Sequence, residues 1–210
     1  MDANQQTRAN PFGMDADCRN CPALCETRER VVHGYGDVGA DFLFVGEAPG
    51  ERADRTGVPF TGDERGEALQ HVLGQLGLNN SLPSDEDPEL ENAFVTYLTR
   101  CREPERPPTD EEVRTCEPYL NAEIRMINPE ILVPVGQRAL TEIATEYTTA
   151  PAEEFDAVED HATTIRGRGF EIVPMADPRD ASDDEREAFV DRFLALMDGD
   201  YRQTKGRRGR

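Results

Sequence analysis

Four short, nearly uninterrupted apolar runs constrain this chain most: DFLFVG at 41–46, AFVTYL at 93–98, EILVPVG at 130–136 and FEIVPM at 170–175. A strand with one wet face alternates apolar and polar residues. These runs do not alternate, so each predicts a strand buried on both faces, as in a parallel sheet covered by helices. Helical stripes lie between and after them: Ala68, Leu69, Val72, Leu73 and Leu76; Val113, Cys116, Leu120, Ile124 and Ile127; Phe189, Val190, Phe193, Leu196 and Met197. The second stripe begins at a capping box, Thr109 with Glu112 three residues on. Strands alternating with helices imply an α/β fold, a three-layer α/β/α sandwich with a central parallel sheet of about four strands. LPSDEDPELE at 82–91 reads as a surface loop, and there is no internal repeat.

The organisation expected is a single domain over 18–198, with a flexible N-terminus over 1–17 and a flexible basic tail over 199–210 that ends KGRRGR. No apolar run has the length of a membrane span or the character of an export signal, so the expectation is a cytoplasmic, monomeric protein without a membrane partner. The formal net charge is −20, yet the only lysine is Lys205. A dense acidic surface with so little lysine suits a salt-rich, halophilic cytoplasm, where repulsion is screened over roughly 3 Å at 1 M salt; an acidic interaction protein is the other reading. Acidity opposes nonspecific binding to nucleic acid, which relies on lysine and arginine at phosphates. With that repulsion screened, binding would rest on local groups such as Arg100, Arg102, Arg166 and Arg168.

Five cysteines carry the next constraint. Cys18 and Cys21 stand in C-x2-C spacing with Cys25 four further on, and Cys101 and Cys116 form a second, wider pair. In a reducing compartment such thiols are more often ligands than disulfides. Zinc and an iron–sulfur cluster both accept four thiolates. The second pair is spread too widely for a zinc ribbon, which favours a cluster docked on the fold. Buried, unligated cysteines are the alternative, and Cys25 is a spare that could replace Cys21.

Immediately after the first strand comes VGEAPGERADRTGVPFTG, residues 45–62. A glycine-rich turn at the C-terminal end of a buried parallel strand is where open α/β folds place ligands. Together with CRNC, TRCREPERPPTDEEVRTCEPYL, INPEILVPVGQRAL and IRGRGFEIVPM, this turn makes the chain over residues 18–197 resemble the family-four uracil-DNA glycosylases, the iron–sulfur branch of that superfamily. The resemblance implies a structural 4Fe-4S cluster on Cys18, Cys21, Cys101 and Cys116. It implies a partner, damaged or single-stranded DNA, met by Arg100, Arg102, Arg106, Arg166 and Arg179. The implied reaction hydrolyses the N-glycosidic bond of a deaminated base flipped from the stack. Glu47 would lie beside the sugar and the attacking water, Phe60 would stack on the base, and backbone amides near Gly46 and Ala48 would bind base oxygens.

Two positions depart from that pattern. Where the family carries an asparagine that reads uracil with a donor and an acceptor, this chain has Tyr97, and a phenol cannot make that two-point contact. Where the family carries a histidine beside the leaving base, MADPRD places Asp177. A carboxylate there would repel a departing anion unless protonated, or would orient water or steady a cationic sugar. His33, His71 and His161 fall elsewhere and read as structural or surface residues. The leading expectation is a DNA glycosylase with altered base preference. The alternatives are a non-catalytic nucleic-acid-binding relative and a zinc-stabilised α/β protein.

Overall fold

A computed structural model describes residues 5–201. Its six-stranded sheet has the order β1-β3-β2-β4-β6-β5. The inner strands β2 (Phe42–Gly46), β3 (Ala93–Tyr97), β4 (Ile131–Pro134) and β6 (Glu171–Ile172) are parallel. Two short edge strands, β1 (Tyr35–Gly36) and β5 (Ile165–Arg166), add antiparallel pairs. The sheet is therefore mixed rather than purely parallel; the extra pairs are two residues long and too short to leave a run in the sequence.

Period-two geometry explains why the apolar runs are continuous. On β2, Phe42 and Phe44 join one core while Leu43 and Val45 join the other. The first core is closed by α3 (Glu64–Gln75) and α6 (Asp183–Met197), through Leu69, Val72, Leu73, Phe189 and Phe193. The second is closed by α4 (Asp110–Ile127) and α5 (Gln137–Tyr147), through Val113, Leu120, Ile124, Leu140 and Ile143. Helices thus cover both faces. Thr109 and Glu112 form the expected capping box on α4, and Ser182 with Glu185 forms another on α6. Two further helices, α1 (Pro22–Thr27) and α2 (Glu51–Thr56), are six residues each and flank the glycine turn and the first cysteines.

Residues 5–17, expected to be loose, run beside β1: Ala9 bridges Tyr35, Asn10 N–H donates to Gly34 at 3.0 Å, and the Phe12 ring lies 6.0 Å from that of Phe94. The basic end beyond 201 lies outside the described residues. Among those described, no helix is long and apolar enough to cross a membrane.

Candidate active site

The four inner strands end together, and the loops that leave those ends build the site. Gly46 closes β2 level with Tyr97 of β3. Pairing of β4 with the last strand continues past β6 to Val135 and Met175, which sets Ala176 and Asp177 beside Gly136. A cavity of about 420 Å³ opens at this end. Glu47, Ala48, Tyr97, Arg65, Cys101 and Arg179 are among its lining residues.

Its floor is an aromatic pair. The rings of Phe60 and Tyr97 lie 4.7 Å apart at 31°, and both side chains are buried. A Cβ on residue 46 would sit 2.5 Å from Phe60 Cζ and 3.0 Å from Tyr97 Cδ1, so only glycine lets the rings close over the strand end. Phe60 has φ +54°, a conformation that non-glycine residues seldom take. Three contacts hold it there: its N–H donates to Tyr97 Oη at 2.8 Å, its carbonyl accepts from Gln70 at 3.1 Å, and its ring rests on Tyr97. Phe60 is set behind Tyr97, and Tyr97 is the ring that lines the cavity. Burial raises the Tyr97 phenol well above its usual range, so it stays neutral.

One wall is ionic. Asp177 accepts from Arg179 Nε at 3.1 Å and Nη2 at 2.9 Å, from the Arg179 backbone N–H at 3.1 Å, and from Arg65. Burial alone would raise this carboxyl, but Arg179 and Arg65 outweigh it and hold it down at about 2. Asp177 is therefore a fixed anion, and the protonated form considered from the sequence is not populated near neutrality. Asp177 is not itself among the cavity-lining residues; Arg65 and Arg179 are. His161 supports this loop from behind, its Nδ1 accepting the Ala176 N–H at 3.0 Å.

The other wall carries the thiols. Thr27 Oγ1 donates to the Arg102 carbonyl at 2.9 Å and Val32 N–H to that of Arg100 at 2.7 Å, which lays the segment after the first cysteines along the start of 101–116. Cys18 and Cys116 lie within electrostatic reach of each other and of both Cys21 and Cys101. All five cysteines are free thiols. Burial first, and neighbouring thiols after it, push Cys21 to about 11; burial pushes Cys101 to about 11 despite the Arg28 guanidinium beside it. Hydrogen-bond donors already face the sulfurs: Arg28 Nη1 lies 3.0 Å from Cys101 Sγ, Arg100 N–H donates to Cys116 Sγ at 3.3 Å, and the Tyr119 hydroxyl reaches Cys18. Cys25 instead points at the Cys18 carbonyl, 3.8 Å away. Among the described residues, no group of three or more His, Cys, Asp or Glu is arranged to hold a metal ion.

The arginines divide. Arg100, expected at phosphates, is 1 % exposed and pairs with the equally buried Glu123 at 2.6 Å, which also accepts from Thr96 Oγ1 and Gly34 N–H. It is a structural residue beneath the thiol wall. Arg166 is exposed on β5, in strand register with Glu171 and level with Ile131 at the start of β4, hence at the opposite end of the sheet from the cavity. Arg168 donates to the Thr148 carbonyl. Arg106 lines the cavity and grips Glu112 with two bonds of 2.7 and 2.8 Å. Arg102 is half-buried at the base of the same loop. Arg65 was not foreseen, although it stands three residues after the GVPFTG turn.

An open sheet with helices on both faces and a polar cavity at the carboxyl ends of its strands defines the class of doubly covered α/β proteins that take ligands at that edge. The chain belongs to the uracil DNA glycosylase superfamily, whose sequence description matches residues 33–197. It is similar to a type-4 uracil-DNA glycosylase of Sulfurisphaera tokodaii, 32 % identical over 154 residues that cover 73 % of this chain and 61 % of the relative. A type-4 enzyme of Archaeoglobus fulgidus is 37 % identical over 74 % of this chain and 68 % of its own, and a type-5 enzyme of Mycobacterium bovis is 35 % identical over 90 % and 77 %. Matches to the Saccharolobus solfataricus and Thermotoga maritima type-4 enzymes span 52 % and 59 % of those relatives. The chain thus spans about half to three fifths of several relatives it matches.

Proposed function

We propose that this chain is a DNA N-glycosylase that hydrolyses the bond between deoxyribose and uracil or another deaminated base flipped out of the stack. The observation that carries the reading is Glu47, placed by the end of β2 in a cavity floored by Tyr97 and flanked by arginines. At about 420 Å³ the cavity falls in the size range of small-ligand sites. Glu47 would orient the water that attacks C1′ and face the positive charge that builds on the sugar. Tyr97, its oxygen already accepting from Phe60, has one hydrogen left to offer a base carbonyl. One donor in place of an amide's donor and acceptor reads a carbonyl edge more loosely, which admits hypoxanthine or xanthine beside uracil.

The donor set of Cys18, Cys21, Cys101 and Cys116 fits a 4Fe-4S cluster: four thiols from two segments, buried or partly so, with N–H groups aimed at two of the sulfurs. When bound, the cluster supplies a crosslink between the first cysteines and 101–116 and takes no part in the reaction at the base.

A strand-nicking assay in molar salt, on oligonucleotides bearing uracil, hypoxanthine, xanthine or ethenocytosine, tests the proposal. Release of at least one base is expected, reduced at least about 100-fold in Glu47→Gln. Binding without release of any would leave the non-catalytic relative as the better reading.

A further inference from the structure

Resting on the glycosylase reading, we propose that Asp177 is a positioning residue that holds Arg65 and Arg179 as a two-guanidinium wall, and that this wall stabilises the negative charge of the departing base. In the reaction the C1′–N bond breaks and its electron pair leaves on the base nitrogen. The oxygen of water bonds to C1′, and its proton passes to Glu47 and then to solvent. Charge therefore develops on that nitrogen and spreads through the ring to the carbonyl oxygens of the base, and fixed cations placed near them lower the barrier without reorganising.

The cavity offers three arginines, and they are not equivalent. Arg106 is bidentate on Glu112, a neutral pair. Arg65 and Arg179 share one carboxylate, so two guanidiniums stand on the one anion that pairs with them. Of the acids nearby, Glu64 and Asp63 also line the cavity, Asp63 accepting the Gly66 N–H at 2.7 Å as the α3 cap, and Asp180 follows Arg179 on its own loop. Arg65 Nε is buried with no hydrogen-bond partner in the structure, while the Arg65 residue lines the space a base would enter. Asp177 contacts three N–H groups of Arg179 and one of Arg65, so it fixes both heads while staying out of the cavity lining itself.

The test compares leaving groups. In single-turnover release from uracil-containing DNA, Arg65→Gln and Arg179→Gln should each be slower by roughly 100-fold. Release of 5-fluorouracil, a more acidic leaving group, should slow by less than about 10-fold in the same proteins. Arg179→Lys should recover part of the loss, and Asp177→Asn should show the same split between the two bases. Equal slowing on both bases, in variants whose melting is unchanged, would overturn the inference.

Should the unaltered protein release no base, the glycosylase reading fails while the cationic wall is still tested by calorimetric titration with barbiturate, an anionic pyrimidine, against neutral uracil. At least about a tenfold preference for barbiturate is expected, lost in the Arg65→Gln/Arg179→Gln double variant. Equal affinity for the two pyrimidines would sink it.

Discussion

On one side of the cavity stand Cys101, Leu24 and the loop through Arg106 to Pro108; on the other stand Arg65 and Arg179 around Asp177. The ionic wall is paired at its centre, because Asp177 has two cations in contact. The thiol wall is not. Its sulfurs are desolvated, repel one another if ionised, and form no bonds among themselves. What joins it now is a layer underneath, the Arg100–Glu123 pair and the donors on Cys101 and Cys116. On the proposed reading one wall depends on what binds to it and the other on pH, and variants can separate the two dependences.

The largest effect belongs to the thiol wall. Cys101→Ala should abolish absorbance near 400 nm in anaerobically purified protein, and should lower the melting temperature by about 10 °C or more, because the binding energy of such a centre is folding energy. If the visible spectrum and the melting temperature both survive, the thiols are ordinary buried cysteines. Next comes Glu123→Ala, which leaves Arg100 buried without its anion and strips the acceptor from Thr96 and Gly34. The expected cost is about 3–5 kcal/mol, read by urea unfolding. A cost below about 1 kcal/mol would mean that water reaches Arg100 and that the layer under the thiols is not closed.

For the ionic wall the measurement is acid unfolding. Asp177 titrates at about 2 in the folded chain, against 3.8 for a free aspartate. Its stabilisation is present above the unfolded value and is lost as pH falls from about 4 through 2. The full difference is about 2 kcal/mol. Asp177→Asn should be less stable than the parent at pH 6, and the gap should shrink towards pH 2. Glu112, held low by Arg106, titrates over the same range but is present in both proteins and cancels. A gap independent of pH would show that Asp177 contributes packing rather than charge.

The sheet was legible because burial on both faces leaves continuous apolar runs, and β2, β3 and β4 lie within the runs that announce them. α5 carries a repeat of its own in Ala139, Leu140, Ile143 and Ala144, yet it follows a glycine with no side-chain cap, so no start signal marked it. The set of four cysteines came from the family resemblance, since spacing alone left Cys25 open and Cys101 and Cys116 stand far apart. The ionic wall was not legible: Arg65 and Asp177 are 112 residues apart and belong to no motif in common. Arg100 and Arg102 look alike in sequence. They differ in that Arg100 turns inward to Glu123, a partner 23 residues away, while Arg102 stays at the base of the cavity loop.

That last contrast gives the smallest expected effect and separates the two ends of the sheet. Each cation that meets a phosphate releases a counterion, so removing one lowers the slope of log affinity against log salt by roughly one. Arg102→Gln should show that change in DNA binding, because its loop enters the cavity region through Glu103 and Arg106. Arg166→Gln should not, since Arg166 is exposed on the edge strand β5, level with the start of β4, with the whole length of the inner strands between it and the cavity. Both substitutions remove one positive charge from a chain whose net charge is −20, so a bulk electrostatic effect would move the two slopes together. Only a DNA path over the strands' carboxyl ends moves one and spares the other. Equal changes would mean that DNA lies along the β5 edge as well, and the cavity could no longer be taken as the centre of the binding face.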